Sequence, residues 1–559
     1  MRFYKHALLW SSLGTLLVLS WAAIEENLLA GWRRAQRAAR ARLPAEGAEA
    51  FSVELRQIVV PELAVADRCT SCHVGMAPGE KGVPGDPALA PHPPVVHDPA
   101  SFGCTVCHGG QGRATTVADA HGDVPHWPEP MLPRRYLYAS CGTCHTHLSV
   151  PNAALLARGR DALERHDCLA CHRVDGRGGT LRPGGEGGLE GPDLSRAGAR
   201  GWRPDWHAHH LGEHARADRG PWRASFAEVA APDREALDEY LRSRVAAPGL
   251  VEAKALFHSL GCRGCHAVGG VGGADGPDLT RVGQRDPGQR PWGGVRGPRT
   301  LANWFAEHFR APARVTPGSL MPELGLGEEQ IERLNLYLFS LRRTSLGDRF
   351  HPKDRVRAEK LGEREFATDG ATLYGTFCAA CHGQGGEGMR YPGLPPFPAI
   401  GNADFLETAP DELITETVKR GRPGRRMPGW GETEGGLRPA EIAAVVRYVR
   451  ALGPPYRSDG KPRRWVRGHV EEGRGLYAAS CAGCHGAKGE GAEGPALANP
   501  VLLRSAPDSF LVETIRRGRR GTSMLGFDRP TPVRRALSDR EIEAIVAYLR
   551  TFEPEEKKP

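Results

Sequence analysis

Apolar side chains recur at helical spacing in four similar stretches of the chain, each with a tyrosine near its end. In one of them, Ile442, Val445 and Val449 fall on one face of a helix. The four predicted helices run from Asp233 to Arg242, from Glu328 to Leu341, from Pro439 to Leu452 and from Asp539 to Phe552. They close repeats of roughly 80 to 110 residues, which is the first organising signal in the chain.

The most apolar stretch lies at the start of the chain. Residues Ala7 to Ile24 form an uncharged run of 18 residues, preceded by Arg2 and Lys5. This length is compatible with a cleavable signal peptide or with a membrane anchor, and we favour an uncleaved anchor within residues 1–30. The arginine-rich segment from Trp32 to Arg42 is suited to the headgroup level, although positive charge normally stays on the cytoplasmic side. Both alternatives export the rest of the chain.

The cysteines point to one kind of cofactor. All 14 lie in Cys-x-x-Cys-His pentapeptides, seven in number, and none is left over. This pentapeptide attaches c-type haem, because its two thiols bond the two vinyl groups and its histidine binds the iron as the proximal ligand. A redox dithiol, a zinc site or a disulfide framework would not need a histidine after every second cysteine. We therefore predict seven covalently attached c-type haems, numbered 1 to 7 in chain order.

The predicted haem-binding residues follow directly from the seven pentapeptides. The attachment cysteines are Cys69 and Cys72, Cys104 and Cys107, Cys141 and Cys144, Cys168 and Cys171, Cys262 and Cys265, Cys378 and Cys381, and Cys481 and Cys484. The proximal histidines are His73, His108, His145, His172, His266, His382 and His485.

Composition agrees with a chain wrapped around cofactors. Glycine (71 residues) and proline (46 residues) are abundant and aromatic residues make up 7%, which fits loops better than broad sheets. The formal net charge of +8 is offset by the two propionates of each haem, 14 in all for seven haems, so it gives no reason to expect nucleic-acid binding. The chain has no P-loop, dinucleotide fingerprint or His-Glu-x-x-His motif.

The last four haems belong to repeats that resemble class I cytochrome c. A helix-like segment precedes the pentapeptide, as in Val251 to Phe257 before haem 5, and Gly-Pro-Asp-Leu or Gly-Pro-Ala-Leu follows it at Gly191, Gly276 and Gly494. The resemblance implies that the closing helix packs across the first one, and that the proline carbonyl accepts the ring N–H of the proximal histidine. The predicted domains for haems 4, 5, 6 and 7 are 151–248, 249–345, 366–455 and 470–555, with linkers at 344–365 and 453–469.

Three methionines occupy corresponding places before the closing helices of the haem-5, haem-6 and haem-7 domains. They are Met321, Met427 and Met524. The resemblance implies that each is the sixth ligand of its iron, and such His/Met ligation raises the reduction potential. The simpler alternative is that a methionine only fills a gap in the core. Because a methionine recurs at the same position in three domains, we favour ligation of the iron over simple packing.

The haem-4 domain departs from this pattern. No methionine lies between His172 and the next domain, but a histidine cluster does, formed by His207, His209, His210 and His214. One of them, with His210 as our candidate, could complete bis-histidine ligation. Alternatively, the iron is open and binds a small molecule. We favour bis-histidine ligation, because histidine is the common alternative axial ligand.

Residues 31–150 hold the first three haems within a short stretch. Five histidines there lie outside the pentapeptides, namely His92, His97, His121, His126 and His147. Spare histidines in this number predict bis-histidine ligation, and we choose His97, His121 and His147 as sixth ligands. The segments His97 to Gly103, Gly109 to Arg113 and Trp127 to Leu132 resemble multihaem modules of bacterial respiratory quinol-oxidising complexes.

These resemblances imply a mainly α fold, with a haem-packed, loop-rich module and tandem class I cytochrome c domains behind an N-terminal membrane anchor helix. We expect an electron carrier on the periplasmic side of a bacterial cytoplasmic membrane, where haem is covalently attached. Bis-histidine haems of low potential would receive electrons from a membrane quinol-oxidising subunit. His/Met haems would pass them to a soluble cytochrome or a terminal oxidase.

Other functions fit parts of the same pattern. A haem enzyme, peroxidase-like or acting on sulfur or nitrogen compounds, would place its chemistry at the fourth haem if that iron were open. A cell-surface conduit is disfavoured, because such conduits are usually dense in bis-histidine haems throughout. Arginine-rich loops at Lys419 to Arg426 and Arg516 to Arg520 would either neutralise haem propionates or form a docking face for an acidic partner.

Overall fold

The chain folds into two compact units. The computed structural model describes residues 2–80, 82–86, 88–93, 95–148, 152–179, 191–200, 206, 209–211, 229–245, 247–342 and 346–553. The N-terminal unit comprises Met1–Thr146, Arg281–Pro291 and Phe339–Lys360, and the C-terminal unit comprises His147–Thr280, Trp292–Leu338 and Leu361–Pro559. His207 and His214 of the predicted histidine cluster lie outside the described residues.

Helices dominate the described residues. The α-helices are Arg2–Ile24, Gly31–Arg40, Ala45–Ala50, Pro99–Phe102, Thr105–His108, Val117–His121, Cys141–Cys144, Ala153–Arg165, Ala231–Arg242, Pro248–Ser259, Leu301–Arg310, Pro312–Val315, Glu328–Ser340, Lys353–Leu361, Gly370–Phe377, Ala379–His382, Ala403–Thr408, Asp411–Arg420, Pro439–Ala451, Val470–Ser480, Ala482–His485, Pro500–Ser505, Asp508–Arg517 and Asp539–Arg550. A π-helical turn, Glu25–Leu29, follows the first of them. The expectation of a mainly α fold is confirmed.

The remaining regular structure is short. The 3₁₀ turns are Pro61–Leu63, Cys69–Ser71, Val74–Met76, Arg134–Ser140, Cys168–Ala170, Ala197–Arg200, Cys262–Gly264, Val282–Gln284, Pro287–Gln289 and Asp348–Phe350. Three antiparallel strand pairs are described, Ile58–Val60 with Val65–Asp67, Arg173–Val174 with Arg177–Gly178, and Ala267–Val268 with Val271–Gly272. In the first pair, Ile58 lies opposite Asp67. This hairpin leads directly into the haem-1 pentapeptide.

The first helix, Arg2–Ile24, is long and apolar enough to cross a membrane, judged by its length and composition. The basic helix Gly31–Arg40 after it is not exposed on all sides. Its Trp32, Gln36 and Ala39 are buried. The Gln36 side-chain amide donates to the carbonyl of Glu54 at 2.7 Å and to the carbonyl of Ser71 at 3.1 Å. This helix is therefore fastened to the turn that carries Cys69.

Helix crossings organise the C-terminal unit. In the haem-4, haem-6 and haem-7 domains, the helix before the pentapeptide packs across the closing helix. A glycine lies at each crossing, and a Cβ there would collide with a backbone carbonyl of the closing helix. These pairs are Gly159 with Ala236, Gly370 with Ala444, and Gly473 with Ala544. Only glycine permits such close approach of two backbones.

Aromatic side chains fill the space beside these crossings. The ring centroids of Tyr374 and Tyr448 are 5.0 Å apart, and those of Phe257 and Tyr337 are 4.7 Å apart. The closing-helix tyrosines thus pack on the first helices, as the class I resemblance implies. The haem-6 and haem-7 domains share one continuous apolar core that includes Leu406 and Ile545.

Candidate haem sites

The seven pentapeptides have the same local geometry. In each, the backbone N–H of the histidine donates to the carbonyl of the first cysteine at 2.8 to 3.0 Å, which closes one helical turn. Residues at positions i, i+3 and i+4 of such a turn share a face. The two cysteines and the histidine therefore point the same way, as one haem requires. None of the 14 cysteines forms a disulfide, so all of them are available for haem attachment.

A proline carbonyl orients the proximal histidine in all four C-terminal domains. The Nδ1 atom lies 2.9 Å from the Pro192, Pro277 or Pro398 oxygen in the haem-4, haem-5 and haem-6 domains, and 2.8 Å from the Pro495 oxygen in the haem-7 domain. This contact fixes the ring and leaves Nε2 for iron. The haem-6 partner, Pro398, lacks the Gly-Pro motif and was missed from the sequence, although an apolar Pro-Ala-Ile follows the pentapeptide there.

The glycines of that motif have a steric role. A Cβ at Gly191, Gly276 or Gly494 would collide with the imidazole of the proximal histidine. Burial lowers the pKa of His266 and His382, and that of His73, His108 and His145 in the N-terminal unit. The neutral imidazole, which is the form that binds a metal, is therefore favoured at these sites.

Four proximal histidines face a second imidazole. The ring centroids are 6.5 Å apart for His73 and His121, 6.1 Å for His108 and His92, 6.2 Å for His145 and His97, and 6.4 Å for His172 and His210. Two imidazoles that bind one metal from opposite sides, each with a nitrogen about 2 Å from it, have centroids about 6.4 Å apart. Each pair is therefore spaced to hold one iron.

Three of these partners, His97, His121 and His210, are residues that the sequence singled out. The imidazole opposite His108 is His92, which was not among the three chosen from the sequence; the third choice, His147, was not assigned to a particular haem. Spacing could not have separated the two, because the loop that carries His92 is positioned by tertiary contacts, such as the packing of Leu89 with Ala39 and Val74. The ring of His210 also stacks on Trp206, with centroids 4.6 Å apart.

The methionine loops of haems 6 and 7 have equivalent backbone geometry. The Arg422 N–H donates to the Met427 carbonyl and the Arg519 N–H to the Met524 carbonyl, both at 2.7 Å. In the haem-5 domain, the Met321 N–H donates to the Ser319 hydroxyl at 3.2 Å. The axial roles of the three methionines stay predictions.

Consecutive haem sites touch within each unit. In the N-terminal unit, the helix Thr105–His108 packs on the strand Val65–Asp67, which precedes the haem-1 pentapeptide. The buried carboxylate of Asp67 accepts from the backbone N–H groups of Cys104 at 2.5 Å and of Thr105 at 2.8 Å, so it ties the second pentapeptide to the hairpin before the first. The same helix packs on the turn Arg134–Ser140, which leads into the third pentapeptide.

Haem 3 has a further support that the sequence did not reveal. Arg355, within the predicted linker, donates to the carbonyls of Thr143 and Cys144, both at 3.3 Å. Its helix, Lys353–Leu361, thereby covers the end of the third pentapeptide. Part of the segment that the sequence predicted to be a charged linker therefore supports the haem-3 site.

Consecutive haem sites are also in contact in the C-terminal unit. The Ser259 hydroxyl accepts from the Ala153 N–H at 3.2 Å, and its carbonyl accepts from the Gln384 side chain at 2.9 Å, so one residue joins the haem-4, haem-5 and haem-6 domains. The turn Cys262–Gly264 of the haem-5 pentapeptide packs on the helices Gly370–Phe377 and Ala379–His382, which frame the haem-6 pentapeptide. The attachment sites of haems 5 and 6 are thus in direct contact.

The haem-6 and haem-7 domains meet through reciprocal contacts. The Asn402 side chain donates to the Arg520 carbonyl at 2.8 Å, and the equivalent Asn499 donates to the Pro423 carbonyl at 3.3 Å. Helix Ala403–Thr408 packs on Asp508–Arg517 while Asp411–Arg420 packs on Pro500–Ser505. The two domains are therefore arranged about a pseudo-twofold axis.

The residues around these sites fit a c-type haem. Besides the cysteines, several buried donors have no hydrogen-bond partner among the described residues, including the Nη1 atoms of Arg422, Arg426 and Arg534 and the Nε1 atom of Trp465. Unsatisfied buried donors are rare in folded proteins. Haem propionates are anions that such donors can bind.

Comparison with known proteins agrees with this geometry. The family model described as "Cytochrome c" matches residues 250–342 and 470–553, and that described as "Cytochrome C oxidase, cbb3-type, subunit III" matches 365–449. These ranges fall on the haem-5, haem-7 and haem-6 domains, which are class I cytochrome c domains. The chain is a multihaem c-type cytochrome, and its class I domains carry covalently bound haem and transfer electrons.

Individual relatives match part of the chain. The cbb3-type cytochrome c oxidase subunit FixP of Bradyrhizobium sp. (strain ORS 278) is 36% identical over 194 residues, which is 33% of this chain and 60% of that protein. The subunit CcoP of Rhodobacter capsulatus is 28% identical over 195 residues, 33% of this chain and 61% of that protein. The matches thus span less than two thirds of these relatives. A reducing HAO-like protein complex of Kuenenia stuttgartiensis matches at 20% identity with a TM-score of 0.24, covering 33% of this chain and 96% of that one.

Proposed function

We propose that this chain carries seven haems and relays electrons along them from a membrane quinol-oxidising subunit to a soluble cytochrome or a terminal oxidase. The observation that carries the proposal is the contact between consecutive haem sites. Haem sites 1, 2 and 3 are linked through Asp67 and the packing of the helix Thr105–His108, and sites 4 to 7 through Ser259, the packing of the turn Cys262–Gly264, and the paired asparagines. Electron carriers need cofactors close together, whereas separate catalytic centres do not.

The proposed axial ligands divide the relay into two classes of site. His121, His92, His97 and His210 would complete bis-histidine ligation of haems 1, 2, 3 and 4. Met321, Met427 and Met524 would complete His/Met ligation of haems 5, 6 and 7. His/Met ligation raises the potential. The downhill direction would therefore run from the N-terminal sites towards the C-terminal sites.

The chain's own residues would make these sites suited to transfer rather than to substrate chemistry. The proline carbonyls hold the proximal imidazoles in one orientation, and a second ligand on each iron leaves no coordination position for substrate. Ligand geometry that stays the same in both oxidation states keeps reorganisation small. Bound haem supplies the one-electron chemistry.

The membrane side of the proposal rests on two findings. The helix Arg2–Ile24 has the length and composition of a membrane span, and an uncleaved helix there would anchor the cytochrome domains on the periplasmic side. The relatives named as subunits of cbb3-type cytochrome c oxidases support a terminal oxidase as acceptor. The donor subunit is inferred from the resemblance of the triheme region to quinol-oxidising complexes.

The competing function is catalysis at haem 4. It needs an open iron, and the ring centroid of His210, 6.4 Å from that of His172, supports His210 as a sixth ligand at that iron. The structure therefore favours the relay over the enzyme. Displacement of His210 would be required before haem 4 could act on a small molecule.

The test combines a haem count with low-temperature EPR of the oxidised, purified protein. Seven haems per chain by pyridine haemochrome, all low-spin, are expected for the relay. A high-spin signal equivalent to one haem, absent from a Cys168→Ala/Cys171→Ala variant, would instead assign an open haem 4 and favour the enzyme. A count below seven would contradict the proposed cofactor content.

A further inference from the structure

The helix Gly31–Arg40 has one face that is fixed to the protein. Trp32, Gln36 and Ala39 are buried on this face, at the i, i+4 and i+7 spacing of one helix side. The Gln36 amide donates to the Ser71 carbonyl at 3.1 Å, in the turn of the haem-1 pentapeptide. The orientation of the helix is therefore set by its contact with the haem-1 site.

The opposite face of this helix is exposed and carries two arginines. Successive residues of an α-helix are turned by about 100°, which places Arg34 and Arg37 opposite the buried side. Both residues are exposed, and so is Ala38 beside them. These three residues form what we call the outer face of the helix.

The arginines at the end of the helix have partners in the protein. Arg40 donates to the Ala48 carbonyl at 2.7 Å, and Arg42 is paired with Asp86 at 3.4 Å. The two guanidinium groups of the outer face form neither a hydrogen bond nor an ion pair within the described part of the chain. The outer face therefore presents two positive charges that no described residue neutralises.

The outer face lies close along the chain to the end of the apolar helix. That helix, Arg2–Ile24, has 23 residues and is about 34 Å long, whereas the hydrocarbon core of a bilayer is about 30 Å thick. The π-helical turn Glu25–Leu29 packs both on the apolar helix and on Gly31–Arg40. Because the headgroup layer on each side of the core is about 5–7 Å thick, a chain that spans the core with the apolar helix reaches the outer face at headgroup level.

Unpaired arginines at this level meet one abundant kind of ligand. Phospholipid headgroups contain phosphates, which a guanidinium binds through charge-assisted hydrogen bonds. A zwitterionic headgroup carries a positive group beside its phosphate, whereas phosphatidylglycerol has a net negative charge. An acidic protein could meet the same charges, but it would have to reach a face that lies against the bilayer. Anionic lipid is therefore the ligand that fits this place best.

We propose that the outer face of helix Gly31–Arg40 binds the headgroups of anionic phospholipids through Arg34 and Arg37. The proposal rests on the proposed function, because it requires the apolar helix to remain as a membrane anchor. The buried face of the same helix holds the haem-1 turn, so lipid bound to the outer face fixes the haem-1 site against the membrane surface. Arg40 and Arg42 hold the end of the helix to the protein instead.

This role accounts for positive charge on the exported side of the anchor. Arginine and lysine are normally enriched on the cytoplasmic side of a span, where Arg2 and Lys5 would lie. Arg34 and Arg37 depart from that rule, and the contacts within the described part of the chain give neither of them a task. A negatively charged ligand in the outer leaflet supplies one.

The experiment places the haem-loaded, full-length protein in nanodiscs of phosphatidylcholine that contain a small fraction of spin-labelled lipid. EPR measures how much labelled lipid is slowed by the protein, separately for labelled phosphatidylglycerol and labelled phosphatidylcholine. The ratio of the two gives the preference for anionic lipid. A basic residue at a charged membrane surface strengthens binding by about fivefold. The preference should therefore fall about fivefold in Arg37→Gln, and further in Arg34→Gln/Arg37→Gln.

Salt dependence separates charge from packing. Attraction between exposed charges reaches about 8 Å at physiological ionic strength and only about 3 Å at 1 M salt. The preference of the original protein should thus fall at 1 M salt, while that of Arg34→Gln/Arg37→Gln should change little. A loss of packing alone would not remove this salt dependence.

Two control variants complete the design. Arg42→Gln removes an arginine of the same segment that is already paired with Asp86, and it should lower the preference much less than Arg37→Gln. Arg34→Lys/Arg37→Lys keeps both charges and should retain most of the preference. Because both arginines are exposed, all of these variants should keep the haem count of the original protein.

The proposal is overturned if the original protein does not prefer phosphatidylglycerol, or if Arg34→Gln/Arg37→Gln keeps the preference. Either result would leave the anchor and the relay intact, and an acidic protein would become the candidate for the outer face. Failure of the full-length protein to enter nanodiscs would instead contradict the membrane anchor of the proposed function, and this proposal with it.

Discussion

The N-terminal and C-terminal units hold their haem sites by different means. In the N-terminal unit, three pentapeptides lie within a short stretch and are fastened to one another by polar groups such as Asp67 and Arg355. In the C-terminal unit, the haem-4, haem-6 and haem-7 pentapeptides each have their own pair of crossing helices, and all four proximal histidines have their own proline carbonyl. The first design makes the haem sites depend on one another, and the second makes each largely self-supporting.

Haem deletion should separate these two designs most clearly. In Cys104→Ala/Cys107→Ala, loss of haem 2 should also weaken haems 1 and 3, because Asp67 and the packing of the helix Thr105–His108 link the three sites. We expect fewer than six haems per chain by pyridine haemochrome and mass spectrometry. Cys481→Ala/Cys484→Ala is the matched variant, and it should retain six. Equal losses in both variants would remove the distinction between the units.

Exchange of a distal histidine tests the loop-borne ligands of the N-terminal unit. His92→Ala should leave the haem-2 iron five-coordinate and produce a high-spin ferric EPR signal equivalent to one haem. His147→Ala is the control and should leave every haem low-spin. His92→Met should raise one midpoint potential by on the order of 100 mV, within the ~0.8 V range that axial ligands span. A high-spin signal from His147→Ala would restore the expectation from spacing.

A single methyl group tests the crossing helices of the C-terminal unit. At Gly473, a Cβ would collide with the Ala544 carbonyl, so Gly473→Ala should cost roughly 2–4 kcal/mol in the free energy of unfolding. Gly475 lies on the same helix with open space around it, and Gly475→Ala should be neutral or stabilise by about 0.5–1 kcal/mol. Denaturant unfolding followed through haem absorbance compares the two. Similar values would mean that the helices adjust at no cost.

Acid sensitivity of the last helix gives the smallest expected effect. Glu541 accepts from the Ser538 N–H at 2.8 Å and is paired with Arg535, which lowers its pKa to about 2. A carboxyl whose pKa is lower in the folded state stabilises the fold above its unfolded value near 4.5, and this contribution is lost as pH falls towards 2. Glu541→Gln should cost about 1 kcal/mol at pH 7 and reduce the slope of stability between these pH values. An unchanged slope would show that other groups determine it.

The C-terminal unit was the more predictable from sequence because its information is local. Tyr448 follows Cys378 within one repeat, and the Gly-Pro motif at Gly276 follows its own pentapeptide, so each repeat could be compared with the next. Comparison of repeats failed for haem 6, because the Pro398 carbonyl contacts the proximal His382 although no Gly-Pro motif precedes it.

The N-terminal unit resisted prediction because its contacts join distant positions. His92 and His147 are equally plausible ligands by spacing, and only the folded loop sets His92 opposite His108. Arg355 reaches the third pentapeptide from more than two hundred residues away.

Gln36 has a mechanical consequence for the start of the chain. Its amide joins the helix after the apolar segment to the carbonyl of Glu54 and to the haem-1 turn at Ser71. The first haem site is thus held by a helix that begins at Gly31, a few residues after the apolar helix ends at Ile24. So short a connection keeps the first haem site near whatever holds the apolar helix, and an electron donor would meet it within a narrow range of heights.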